Sequence, residues 1–280
     1  MNNMDNGKIG GTMKGYAQAL LVGGLGLVFA SSAWAYLPLR NGYTAGSGIN
    51  ETVHDLGHAH NNMSYLPSPA DPLSRICIFC HAPHNAYRLN GLPGAGLEAP
   101  PEFDYLPLWN HSLEGFDPNF TPYENGPGAP QIGAKASQAI LNGMTIGSSS
   151  LLCLSCHDGS IAVNKYGNGD QISQSSGSTT IAPMYQIGKG KYLGNHHPIG
   201  FDYIQAWNDD KGLRQADITL ITPLTTIQDH LSGTDNTRME CPTCHSVHNK
   251  GNTGETLLWR SDQNSEFCLS CHDKGTYTGP

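Results

Sequence analysis

Hydrophobic positions along this chain seldom recur at a helical or strand period. One stretch is continuously apolar, "ALLVGGLGLVFA" at residues 19–30. It follows Lys8 and Lys14 and precedes "SSAWA", which ends in an A-x-A pattern. A helix needs about 20 apolar residues to cross a bilayer, more than this stretch supplies. Basic flank, apolar run and small-residue site together predict an export signal over 1–35, removed after Ala35. No other stretch is apolar enough for a membrane span. Spaced Ile, Ala and Leu in "PQIGAKASQAILNGM", 130–144, predict a short helix ending near Gly143. "TLITPLTTIQDHL", 219–231, is β-branched but broken by Pro223, which leaves strand and loop both open. The rest predicts mostly coil with short helices and little regular secondary structure.

Composition sharpens that picture. Charged residues make up 14% of the 280, against about 25% in ordinary globular chains. There are 34 Gly and 18 Pro, and hydrophobic residues reach only 38%. Loops are favoured, and something other than side chains is expected to fill the core. The net charge is −8 with few, scattered basic residues, which argues against a nucleic-acid partner.

All eight cysteines fall in four identical frames: Cys77-Cys80-His81, Cys153-Cys156-His157, Cys241-Cys244-His245 and Cys268-Cys271-His272. Each is C-x-x-C-H, the attachment pattern of c-type haem. Two thiols at that spacing add to the two vinyl groups of one porphyrin. The histidine four residues after the first cysteine lies on the same face of a helical turn and reaches the iron. A disulfide framework or a pair of zinc sites has no reason to place a histidine after every second cysteine. Four covalently bound haems, with His81, His157, His245 and His272 as proximal ligands, are therefore expected. They would supply the missing apolar core.

The motifs alternate between two kinds. "CIFCHAPHN" (77–85) echoes "CPTCHSVHN" (241–249), and "CLSCHDG" (153–159) echoes "CLSCHDK" (268–274). Between the members of each pair, "PLWNHS" (107–112) echoes "LLWRSD" (257–262). The domain expected over 36–280 is thus a two-haem unit used twice, at about 50–165 and 195–275. The first copy carries Pro/Gly-rich insertions, and a polar Gly/Ser-rich loop over 167–180 separates the copies.

Outside the motifs nine histidines remain: His54, His58, His60, His84, His111, His196, His197, His230 and His248. Past the export signal the methionines are Met63, Met144, Met184 and Met239, none in a repeated context. Bis-histidine, low-potential haems are expected, since an axial methionine raises the potential. His84 and His248 follow their motifs by three residues and point to a neighbouring haem rather than their own. His197 precedes a proline, which biases its backbone to extended form, and His196 beside it points the other way. His54 is the upstream candidate, with His58 and His60 competing. His111 has Arg260 at its place in the second copy, which demotes it to a weaker distal alternative. His230 has no echo and is expected at the surface. If the copies are equivalent, His54 serves the Cys77 haem, His197 the Cys241 haem and His248 the Cys153 haem. His84 then serves the Cys268 haem of another subunit.

At "CIFCHAPHNA…PLWNHS", "LLCLSCHDG", "NHHPIGF" and "CPTCHSVHN…LLWR…CLSCH" the chain resembles the multihaem c-type cytochromes with doubled C-x-x-C-H motifs. Its four motifs and export signal are similar to outer-surface tetrahaem cytochromes of metal-reducing bacteria, some of which polymerise into extracellular nanowires. The resemblance implies a haem-packed fold and electron transfer rather than enzymatic turnover. It also implies export to the outer surface or the periplasm. The partners it implies are further copies in a head-to-tail filament, redox cytochromes and an extracellular electron acceptor. In that family the histidine of the first C-x-x-C-H-x-x-H can ligate a haem of the neighbouring subunit, which by position is His84. A soluble periplasmic shuttle and, less favoured, a multihaem reductase are the alternatives. A reductase needs an open iron with acid/base groups beside it, and no such constellation is visible.

Overall fold

The computed structural model describes residues 48–49, 52–56, 75–94, 96–123, 143–167, 180–181, 183–209, 211–248 and 257–280. All belong to one unit, Leu37–Pro280; the other unit, Met1–Tyr36, contains the expected export signal and lies outside the described residues. So do His58, His60, most of the helix expected over 130–144 and most of the 167–180 loop.

Regular structure is sparse, as the pattern predicts. The longest described helix is α1, Ser148–His157, which follows an extended Gly147. Then come α2 (Tyr203–Asp209), α3 (Cys241–Cys244) and α4 (Glu266–Cys271), with short 3-10 turns such as Cys77–Phe79. Strands β1 (Phe201–Asp202) and β4 (Arg238–Met239) pair antiparallel, with Phe201 opposite Met239. Strands β2 (Leu220–Thr222) and β3 (Thr225–Thr226) form a hairpin. Pro223 and Leu224 are its turn, where proline's fixed φ fits and its missing N–H costs nothing. The Pro-broken stretch is therefore both strand and turn. Among the described residues no helix is long and apolar enough to cross a membrane.

Two main apolar clusters form. The first draws on Tyr87, Trp109, Phe116, Leu151, Leu154 and Leu193; the second on Phe201, Tyr203, Ile221, Ile227, Leu231 and Met239. A small third cluster packs Phe79 against Tyr166, with ring centroids 4.8 Å apart. Cys244 and Cys271 pack on the second cluster. The motif helices thus present their cysteines beside apolar side chains, the surroundings a porphyrin needs.

Candidate functional site

Each motif closes one helical turn over its own cysteine. The amide of His81 bonds to the Cys77 carbonyl, that of His245 to Cys241 and that of His272 to Cys268, at 2.8, 3.0 and 2.9 Å. At His245 and His272 the backbone then becomes extended, so the ring leaves the helix. At α3 the start is fixed by Pro242 and by a capping box, in which Glu240 and Thr243 exchange side-chain and backbone bonds.

None of the eight cysteines is in a disulfide, and their neighbours put the motifs in file. Cys80 interacts electrostatically with Cys156. Cys153 and Cys241 share a side-chain hydrogen bond, which together with burial pushes the Cys153 thiol up. Cys244 faces Cys271 and Cys268, and burial pushes it up to about 12. Burial likewise pushes Cys80 and Cys271 up to about 11. The order is therefore first, second, third, fourth, as in the chain.

Among the described residues no three His, Cys, Asp or Glu side chains converge on a metal-ion site; the histidines come in twos. Ring centroids are 6.0 Å apart for His54 and His157, 6.1 Å for His81 and His248, and 6.2 Å for His197 and His272. Two imidazoles on opposite sides of one metal, through bonds of about 2.0–2.1 Å, place their centroids roughly 6 Å apart. The residues fit a bis-histidine iron at three motifs. Burial lowers the pKa of His54 to about 4 and also lowers His157 and His245. These rings stay neutral at pH 7, the form that binds metal. His81 Nδ1 pairs with the Pro107 carbonyl at 2.6 Å, and His245 Nδ1 with the Leu257 carbonyl at 3.2 Å. A proton held there leaves Nε2 for the iron.

The pairs differ from those expected. The repeat logic gave His54 to the first motif, yet it faces the second. His248 faces the first motif rather than the second, and His197 faces the fourth rather than the third. His54 and His197 each face the second-kind motif of their own copy, and only His248 crosses between the copies, to the first motif. His84 is exposed, and among the described residues no such pair forms at His84 or His245.

His230 corrects an expectation. It is buried, its Nε2 lies 2.7 Å from the Thr225 hydroxyl and its ring is 4.4 Å from Trp259. His111 is fully buried with neither ring nitrogen hydrogen-bonded. His196 Nε2 lies 3.5 Å from the Gly188 amide.

The two copies match in their backbones, with a one-residue shift from the sequence echo. Leu108 and Leu257 both have positive φ, 54° and 61°. Their carbonyls accept from Ala82 and Ser246, each the residue after a motif histidine. Two residues on, Asn110 and Trp259 bond through their amides to the Cys80 and Cys244 carbonyls. Their side chains donate to the carbonyls of Ile78 and Pro242, the same motif position. Asn110, not Trp109, is thus the counterpart of Trp259, and Arg260 that of His111.

Sequence reasoning missed Glu240. It is buried, and it accepts from the Ser150 hydroxyl at 2.5 Å and the Gly147 amide at 3.0 Å. Burial raises its pKa, against those bonds and Arg238. The signal present was an acid directly ahead of a Cys-Pro helix start.

Residues 235–276, which span the third and fourth motifs, match the family described as the doubled CXXCH motif. No curated protein matches the chain. The family match supports a multihaem c-type cytochrome, a carrier of covalently bound haem that transfers electrons.

Proposed function

We propose that the chain holds four c-type haems and is the exported, repeating subunit of an extracellular electron-conducting filament. The observation that carries this is the file of thiols, Cys80 to Cys156, Cys153 to Cys241 and Cys244 to Cys271. Bound there, haem supplies one-electron Fe(III)/Fe(II) chemistry. Each motif contributes two thioether sulfurs and a proximal imidazole. On this reading His248, His54 and His197 would be the distal ligands at the first, second and fourth motifs, which the opposed rings support. Cysteines of successive motifs interact, through a hydrogen bond at Cys153 and Cys241 and electrostatically at the other two steps, which supports groups held close enough for electrons to pass without a diffusing carrier.

The file also bears on assembly. Its inner cysteines, Cys153 and Cys241, meet within the chain, whereas the outermost, Cys77 and Cys268, are both exposed. Joining Cys268 of one copy to Cys77 of the next repeats the internal joint, and a head-to-tail contact that does not close makes a filament. Intact mass of the secreted protein is expected to exceed the polypeptide by four haems, and negative-stain microscopy of native material to show filaments. Two zinc ions in place of haem would defeat the first half of the proposal. Monodisperse particles would defeat the second and leave a soluble periplasmic shuttle.

A further inference from the structure

The two halves hold their second-kind motifs in opposite electrostatic surroundings. At the fourth motif the cations are inside. The Arg260 side chain is 5% exposed, and its partner acid Glu266, 3.9 Å away, is 40% exposed. Arg260 also donates to the Ser270 hydroxyl at 3.2 Å, between Cys268 and Cys271, and to the Gly279 carbonyl. Arg214 is 18% exposed against 56% for its partner Asp273, and it donates to the Leu269 carbonyl of α4. At the second motif the anion is inside. Asp158 is 2% exposed and Lys191, 2.5 Å from it, 23%. Buried Glu240 sits at the start of α1, with Arg238 32% exposed beside it. The counterpart of Arg260 there is His111, an uncharged ring.

A buried charge acts through protein of low effective dielectric, whereas an exposed partner is screened by water and salt. Opposite charges at one helix therefore do not cancel when one is buried and the other wet. A buried cation favours the extra electron of a reduced iron, and local charge is one of the terms that sets a haem's potential.

Resting on the four-haem reading, we infer that Arg260 is a positioning residue for potential. It raises the reduction potential at the Cys268–Cys271–His272 motif above that at Cys153–Cys156–His157. One electron entering the chain then comes to rest toward the fourth motif. The iron at the second motif returns to Fe(III) as that at the fourth becomes Fe(II), and no proton need move.

The test is a potentiometric titration of the purified holoprotein followed by electron paramagnetic resonance, in which low-spin haems give separable signals. Arg260→Gln is expected to shift one potential downward and leave the others in place, and Arg260→Lys to keep the wild-type value. Unchanged potentials in Arg260→Gln, or equal shifts in the Gln and Lys variants, would overturn the inference. Should Arg260→Gln fail to fold, Arg260→Met keeps the apolar stem and its packing without the charge. A downward shift of one potential is expected there, and no shift or an upward one overturns the inference. Failure of the haem reading itself is distinct: the wild-type protein would then give no haem mass and no signal.

Discussion

His111 shows how a residue of no assigned role still leaves a measurable trace. It lies three positions after the left-handed Leu108, wholly buried, with its ring edge-on to Trp109 at 6.3 Å. Burial lowers its pKa from 6.5 to about 4; the Ser155 backbone opposes that shift but makes no hydrogen bond of good geometry. The folded state binds a proton less readily than the unfolded one, so the stability linked to His111 is present above pH 6.5. It is lost as pH falls through 6.5 toward 4. At about 1.4 kcal/mol per pH unit the loss is roughly 3 kcal/mol. Thermal melts between pH 7 and pH 4 are expected to show a shallower decline in His111→Leu than in the wild type. Parallel declines would mean that His111 is already charged or free to protonate in the folded chain.

At the scale of elements, Glu240 ties two motif helices together. It caps α3 and accepts from Gly147 and Ser150 at the start of α1, while Ser150 in turn accepts from the Cys241 amide at 2.9 Å. Glu240→Ala removes the cap, leaves the Gly147 amide and Ser150 hydroxyl without this acceptor and takes the carboxylate from beside Arg238, a loss of about 3 kcal/mol. The unfolding temperature is expected to drop by roughly 5–10 °C, read by calorimetry. A drop of a degree or two would show that α1 and α3 are held by packing alone. Little of this was legible in the sequence. The four C-x-x-C-H frames and the scarcity of regular structure were, because covalent chemistry fixes spacing and composition limits burial. Register was not. The Trp109 and Trp259 echo pairs like residues, but the backbone pairs Asn110 with Trp259, since a left-handed residue and two carbonyl bonds outweigh side-chain likeness. Ligand pairing was not legible either. His54 and His197 pass over the first-kind motif to face the second-kind motif of their own copies, while His248 reaches across to the first motif, and a one-dimensional repeat carries no record of those reaches. His230 read as surface because its partners, Thr225 and Trp259, are positioned by a hairpin that Pro223 disguises.

At the scale of the whole molecule the question is what completes the third motif. His272 faces His197, so the histidine that His84 was expected to serve in another subunit already has an opposed ring. His245 is the motif histidine for which no such pair forms among the described residues. Two sources can serve it: His58 or His60 of the same chain, or His84 of another copy, which is exposed and follows the first motif at the outer end of the file. The filament reading favours His84, because a ligand shared between copies makes docking and iron coordination one event. His84→Ala is then expected to leave three haems low-spin, turn one high-spin and abolish filaments under the microscope, with the protein still secreted and haem-loaded. The high-spin signal is expected to take up carbon monoxide, which the wild type would not. Filaments that persist with four low-spin haems would place the ligand at His58 or His60, and assembly would have to rest on the exposed Cys77 and Cys268 ends alone.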